Sequence, residues 1–236
     1  MKTLLFVLLG LALVASVAYA GDDNAAPVPV VTRDACALTY TSYFWDFNIG
    51  DHGFVPAACD TGGLPVWAWG AESTVPGSPG NVWGTVLNGS YPSNSGDALL
   101  SPPFMVTSDT YLLEVNHYVH FETNFDGCNV SVDGTVIMPT VPYPATISTS
   151  TSYYAYCVND EPGWTGNSSS GPSQDWVAQC FDLSAYMGQM IQVSFDMGTD
   201  SSVTYPGWYL AYVAVGSDSP ISVDKANWGG IKALYR

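Results

Sequence analysis

Short apolar runs rich in Val, Tyr, Trp, Phe and Thr recur along the chain, broken by scattered Gly and Pro, and no long stretch repeats apolar residues at helical spacing. That pattern predicts an all-β chain. Strands are expected at residues 40–48, 65–69, 83–87, 99–106, 111–122, 128–132, 135–138, 176–182, 191–197 and 208–216. The run Ile191-Gln192-Val193-Ser194-Phe195-Asp196-Met197 alternates cleanly, turning Ile191, Val193, Phe195 and Met197 inward and its polar residues to water. Asp133-Gly134, between two such runs, is a hairpin signal, because the tight turn needs positive φ. About ten strands in roughly 190 residues, with no internal repeat and no helical layer, favour a two-sheet jelly-roll β-sandwich over a propeller or solenoid.

The flanks read differently. Residues 1–20 have a basic start at Met1-Lys2-Thr3, an apolar centre and Ala18-Tyr19-Ala20 at the end, the pattern of a cleaved secretory signal. The apolar run of about 15 residues is shorter than the roughly 20 that span a bilayer. Residues 21–34 are expected to form a leader, 35–218 the sandwich, and 219–236 a tail, with a short helix capped by Asp224 or Asn227 weakened by Gly229-Gly230. Within the sandwich, residues 141–173, rich in Ser, Thr, Pro, Tyr and Gly, are expected to run irregularly over the surface.

Charge narrows the function classes. With 21 acidic against 5 basic residues the formal charge is −16, which repels nucleic acid and anionic bilayers and excludes both as partners. Hydrophobic residues reach 47% and charged residues only 11%, so the chain folds around a core rather than remaining disordered. A secreted location, extracellular, at the cell surface or periplasmic, permits disulfides among Cys36, Cys59, Cys128, Cys157 and Cys180, and the odd count leaves a thiol over. Proximity pairs Cys36 with Cys59 and Cys157 with Cys180, although spacing fixes no connectivity. No Cys-x-x-Cys supports a zinc or redox site.

Asp46-Phe47 with Gly53-Phe54, Trp67-Ala68-Trp69-Gly70, Asn81-Val82-Trp83-Gly84-Thr85, Leu87-Asn88-Gly89-Ser90-Tyr91-Pro92, Leu100-Ser101-Pro102, Glu122 with Asp126-Gly127, Phe181-Asp182-Leu183-Ser184-Ala185-Tyr186 and Pro206-Gly207-Trp208-Tyr209 follow one another in this order. Together, over residues 44–215, the chain resembles the MAM-like jelly-roll modules of bacterial secreted proteins, such as those attached to immune-inhibitor-A peptidases and the cleaved adhesin domains of gingipains. The resemblance implies a non-catalytic sandwich used for adhesion, for substrate or glycan contact, or for packing against an enzyme domain, often with a structural calcium ion (Ca2+). One departure bears on that ion. Such modules continue Gly-Trp-Tyr with Ile-Asp-Asp-Val, whereas this chain has Leu210-Ala211-Tyr212-Val213, without either carboxylate. Asp46, Asn48, Ser78 and Asn81 are then the oxygens expected to serve a calcium site, which takes six to eight oxygen ligands.

Candidate chemistry is sparse. His117 and His120 stand three apart, which on a strand puts them on opposite faces, so His117 is expected in the core. His120 shares its face with Glu114, Asn116, Tyr118 and Glu122, a stripe that fits a ligand-binding groove and equally a solvated sheet face. Glu122, Asp126 and Asp133 lie at turns where acidic residues are commonplace, with no evident cleft for paired-carboxylate hydrolysis. No Gly-x-Ser-x-Gly, His-Glu-x-x-His or phosphate loop occurs, and the chain is not expected to be an enzyme. Trp67 and Trp69 suit either core packing or a sugar platform; Trp83 and Trp208 are expected in the core, and Trp164, in a Gly-rich context, is the expected exposed contact. Asn88, Asn129 and Asn167 open Asn-x-Ser sequons. The reading is a secreted binding or adhesion module whose ligand is a glycan or a protein surface. Its alternatives are a self-associating structural protein, joined through the tail or the odd cysteine, and an accessory domain of a hydrolase system.

Overall fold

The structure, a computed structural model, describes residues 31–34, 36–58, 66–148, 155, 157–166 and 175–218. The expected signal, most of the leader, the tail, Cys59 and Asn167 lie outside those residues. Two sheets face each other. The first has the order β1 (Val31–Asp34), β13 (Val177–Asp182), β8 (Leu112–His120), β16 (Gly207–Ser217), β5 (Asn81–Gly84) and β4 (Ala68–Ala71), with β2 (Tyr40–Asp46) also paired to β16. The second runs β10 (Thr135–Val136), β9 (Gly127–Val132), β15 (Val193–Gly198), β6 (Gly96–Leu100) and β3 (Val55–Ala57). Two short ribbons, β11 (Ala145–Thr146) with β12 (Pro162–Gly163) and β7 (Phe104–Met105) with β14 (Met190–Ile191), complete a jelly-roll-type sandwich.

Register sets which loops meet. Gly96, Gly127 and Gly198 stand side by side in the second sheet, while His120 faces Gly207 and Gly84 faces Tyr209 in the first. Three of the connections that cross between sheets, after Gly84, His120 and Gly198, therefore emerge at the same end of the sandwich. The hairpin between β9 and β10 turns at Asp133 and Gly134 with φ of 49° and 77°, the double positive φ its sequence asks for.

The central strand β16 is buried on both faces, which is why its sequence is continuously apolar. A register shift between Leu210 and Tyr212 lets Trp208 and Leu210, and then Val213 and Val215, all enter the main core, while Tyr209, Ala211 and Tyr212 pack on the outer side. This is the action of a bulge, which resets the alternation by one residue. Trp208 sits at the centre, with ring centroids 5.4 Å from Trp67, 5.7 Å from Phe195 and 6.1 Å from Trp164. Each such fully buried side chain contributes roughly 1.5–3 kcal/mol.

Several expectations are corrected. Val31–Asp34, placed in the leader, pairs in parallel with β13. The expected strand at 99–106 is split into β6 and β7 because Pro102 and Pro103 supply no N–H to a ladder. Within the expected surface excursion, Tyr143, Ile147 and Trp164 are buried, and the β11–β12 ribbon hydrogen-bonds to β9 through Trp164 and Cys128. Cys36 is bonded to Cys180, across 144 residues, so neither proximity pair forms. Cys157 is also disulfide-bonded, and among the described residues Cys128 is a free thiol. Cys128 is fully buried, and burial pushes its thiol pKa well up, so it offers no intermolecular joint.

Candidate functional site

The end at which the crossing loops meet gathers the main cluster of ionisable groups. Glu122 follows β8, Asp126 precedes β9 and Asp200 follows β15; one carboxylate oxygen from each lies within 4.8 Å of the others. Backbone geometry builds the cluster: the Phe125 and Asp126 N–H groups donate to the Glu122 carbonyl, and the Asp200 N–H donates to Asp126 Oδ1 at 2.6 Å. Tyr91, from the β5–β6 connection, donates its hydroxyl to Asp126 Oδ2 at 2.7 Å and accepts the Glu122 N–H at 3.1 Å. Three loops are thus tied through a single carboxylate.

Electrostatically the cluster is unbalanced. Burial first, then the neighbouring Asp200 and Glu122 charges, lift the Asp126 carboxyl to about 7, outweighing the Tyr91 and Asp200 hydrogen bonds. Burial and Asp200 raise Glu122 as well. Glu122 Oε2 is enclosed without a hydrogen-bond partner. An all-oxygen donor set with an orphaned carboxylate oxygen suits a hard cation, not zinc. The cluster could hold a metal. Asp126 is anchored on both oxygens, yet each keeps a second lone pair for an ion.

The residues first expected to serve calcium lie elsewhere. Asn48 and Asn81 do meet, through Asn81 N–H to Asn48 Oδ1 at 3.3 Å and Asn81 Nδ2 to the Asn48 carbonyl at 3.1 Å. Asp46 Oδ1 accepts the Asn48 N–H, and Ser78 Oγ accepts the Gly80 N–H, so these oxygens close local turns.

The polar stripe on β8 is covered rather than open. Val75, Val82, Tyr118, Trp176, Tyr209 and Ala211 form a second apolar layer on that face, with Glu114, Asn116 and Tyr118 buried and His120 and Glu122 left partly exposed. Glu114 accepts the Tyr212 hydroxyl at 2.9 Å, so Tyr212 stoppers an acid. His120 stacks on Tyr205 at 4.6 Å beside the carboxylate end. His117 lies in the core as expected, accepting the Trp208 indole N–H at Nδ1.

Trp164, the expected exposed contact, is 3% exposed and packs edge-on against His117 at 4.4 Å and Tyr143 at 4.7 Å; a side chain so enclosed makes no surface contact. Trp67 joins the core, whereas Trp69 is exposed with its indole N–H on the Phe47 carbonyl. Asn88 is exposed and Asn129 fully buried, so of these two described sequons the former is the one open to modification. Asp200 was invisible in the sequence because nothing local ties it to Glu122 and Asp126; the pairing of β15 with β9 does so.

Fold and site together define a two-sheet sandwich module with a buried, oxygen-lined acidic end. No family model matches the chain. It is 26% identical over 213 residues to bacillopeptidase F of Bacillus subtilis (strain 168), covering 86% of this chain and 13% of that protein. The K1 cleaved adhesin domain of Lys-gingipain from Porphyromonas gingivalis W83 aligns with 75% of this chain and 98% of that domain, at 13% identity and a TM-score of 0.40. Among the described residues, no helix is long and apolar enough to cross a membrane.

Proposed function

We propose that this chain is an exported, non-catalytic sandwich module, accessory or adhesin-like, that meets a protein surface or a glycan and binds calcium between Glu122, Asp126 and Asp200. One observation carries the reading: 86% of the chain aligns with only 13% of a peptidase, so the shared unit has the size of one sandwich and not of that whole protein. The disulfide between Cys36 and Cys180 supports export, since such bonds persist in oxidising compartments. Calcium is favoured over magnesium because carboxylate oxygens up to 4.8 Å apart suit a larger, geometrically tolerant ion better than a strict octahedron.

The test is a binding screen on immobilised extracellular proteins and a glycan array, with and without calcium, alongside peptide and glycoside reporter substrates. Retention on one class without turnover is expected. Turnover of a reporter, or retention on neither class, contradicts the proposal.

A further inference from the structure

The outer face of the five-stranded sheet carries a cavity of about 350 Å³. Its floor is Ser131 on β9 with Ser194 and Asp196 on β15; Glu161, Gln192 and the hairpin residue Asp133 complete its polar lining. The hydrogen bonds have a consistent direction. Ser131 donates to Asp196 Oδ2 at 2.6 Å, and Ser194 donates to Asp196 Oδ1. Gln192 Nε2 donates to the Ser101 carbonyl at 2.6 Å.

Asn129, opposite Asp196 in the ladder and on the same face as Ser131, donates Nδ2 to Glu161 Oε2 at 2.9 Å and to the Pro162 carbonyl at 3.1 Å. Both partners are acceptors, so the carboxamide orientation is fixed. Asn129 Oδ1 is left without a partner, but the side chain is 0% exposed and does not line the cavity, so its part is to hold Glu161 in place. Apart from a single amide N–H of Gln192, the side-chain donors here are spent internally, and what the cavity offers a ligand is acceptors.

Charge points the same way. Asp133, Glu161 and Asp196 line the space with no Lys, Arg or His among its described lining residues. Of the chain's basic residues only Arg33 falls within the described part, on β1 of the other sheet. A metal ion fits poorly, because Glu122, Asp126 and Asp200 are the acidic group that converges within metal-binding reach among the described residues, and Asp133, Glu161 and Asp196 do not. A neutral sugar fits poorly too, since its hydroxyls need donors as well as acceptors and no aromatic residue is among the described lining residues. A long cationic side chain satisfies both the acceptors and the negative charge, and the volume is ample for one.

We infer that this cavity is a binding site for an ammonium or guanidinium group, presented by a Lys or Arg side chain on the surface of a partner protein. The inference rests on the reading of the chain as a binding module and selects a basic protein surface over a glycan. The experiment is an amide-shift titration of the isotope-labelled full chain in calcium with acetyl-Gly-Lys-Gly-amide and acetyl-Gly-Arg-Gly-amide. The same tripeptide with Nε-acetyl-lysine and free putrescine serve as comparison arms. Saturable shifts at Ser131, Ser194 and Asp196 are expected with the cationic peptides, weakened about tenfold by side-chain acetylation and about fivefold or more by Glu161→Gln. Asp196→Asn should act similarly, and Glu161→Gln, at the cavity wall, keeps the test decisive if that variant fails to fold. Equal binding of the acetylated peptide, or no shifts at these residues, overturns the inference. Putrescine binding more tightly than the peptides overturns the protein partner. If the screen finds a target whose retention is indifferent to Glu161→Gln, the cavity fails alone; if the screen finds none, the broader reading fails with it.

Discussion

His117 shows how the core uses a residue that sequence readers associate with chemistry. Its Nδ1 accepts the Trp208 indole N–H at 2.9 Å, and complete burial drives its pKa down to about 3, so the ring is neutral. Its resonance should therefore stay unchanged from pH 5 to pH 8 in a histidine NMR titration, and a midpoint near 6.5 would contradict the packing. Trp164 makes the converse case. Glycines on either side suggested exposure, but Gly163 is the residue that lets the backbone approach: a Cβ there would lie 2.3 Å from Ile147 and 2.6 Å from the Cys128 carbonyl. Trp164→Ala should cost about 3–5 kcal/mol in urea denaturation. A loss below about 1 kcal/mol would restore the surface reading. The burial of His117 was legible because it belongs to an alternating run, and that of Trp83 and Trp208 because they fall in the motifs that carry the resemblance, whereas Trp164 is held by contacts distant in sequence.

At the level of elements, the ladder was largely readable and the stapling was not. Each expected run coincides at least in part with a strand, since alternation and aromatic content report a half-buried pleat directly. The strands missed were β1, β3, β11 and β12, two to four residues long and too short to show a period. Disulfide topology also escaped, because Cys36 and Cys180 meet only once β8 lies between β13 and β16. This bond closes a long loop, and chain-entropy reasoning assigns it roughly 3–5 kcal/mol. The double variant Cys36→Ala with Cys180→Ala should fold and unfold reversibly with a stability lower by about that amount, read by chemical denaturation. An unchanged midpoint would place the stabilising interactions elsewhere. Native Cys128 should resist a thiol reagent until denaturant is added, and rapid labelling of the folded chain would contradict its burial.

Across the whole molecule the acidity acquires a direction. Burial raises the carboxyls of Asp97, Glu114, Asp126 and Asp196, and Glu122 rises with them; on Glu72, hydrogen bonds from Thr74, Asn88 and Val75 outweigh burial and lower it. A group whose folded pKa is raised binds more protons folded than unfolded, so its contribution is complete below about pH 4 and is lost as pH climbs through the folded value, about 7 for Asp126. Buried His117 acts in the opposite sense below about pH 6.5, so the acid's part is read as a difference: in chelator, from pH 5 to pH 8, the unmodified chain should lose stability relative to Asp126→Asn. An unmodified chain and Asp126→Asn variant whose midpoints run parallel over this range would contradict the buried-acid assignment. None of this was legible in the sequence, because Asp126 stood at a turn and its partners Asp200 and Tyr91 come from other connections.

Whether these carboxylates form a cation site is decided most directly by calorimetric melting of the full chain at pH 8 in calcium against chelator. With calcium near a hundredfold its dissociation constant, linkage gives about 2.7 kcal/mol, which for a domain of this size is a rise of roughly 5–10 °C. The rise should vanish in Glu122→Gln and Asp200→Asn. Superimposable melts of the unmodified chain with and without calcium would contradict it.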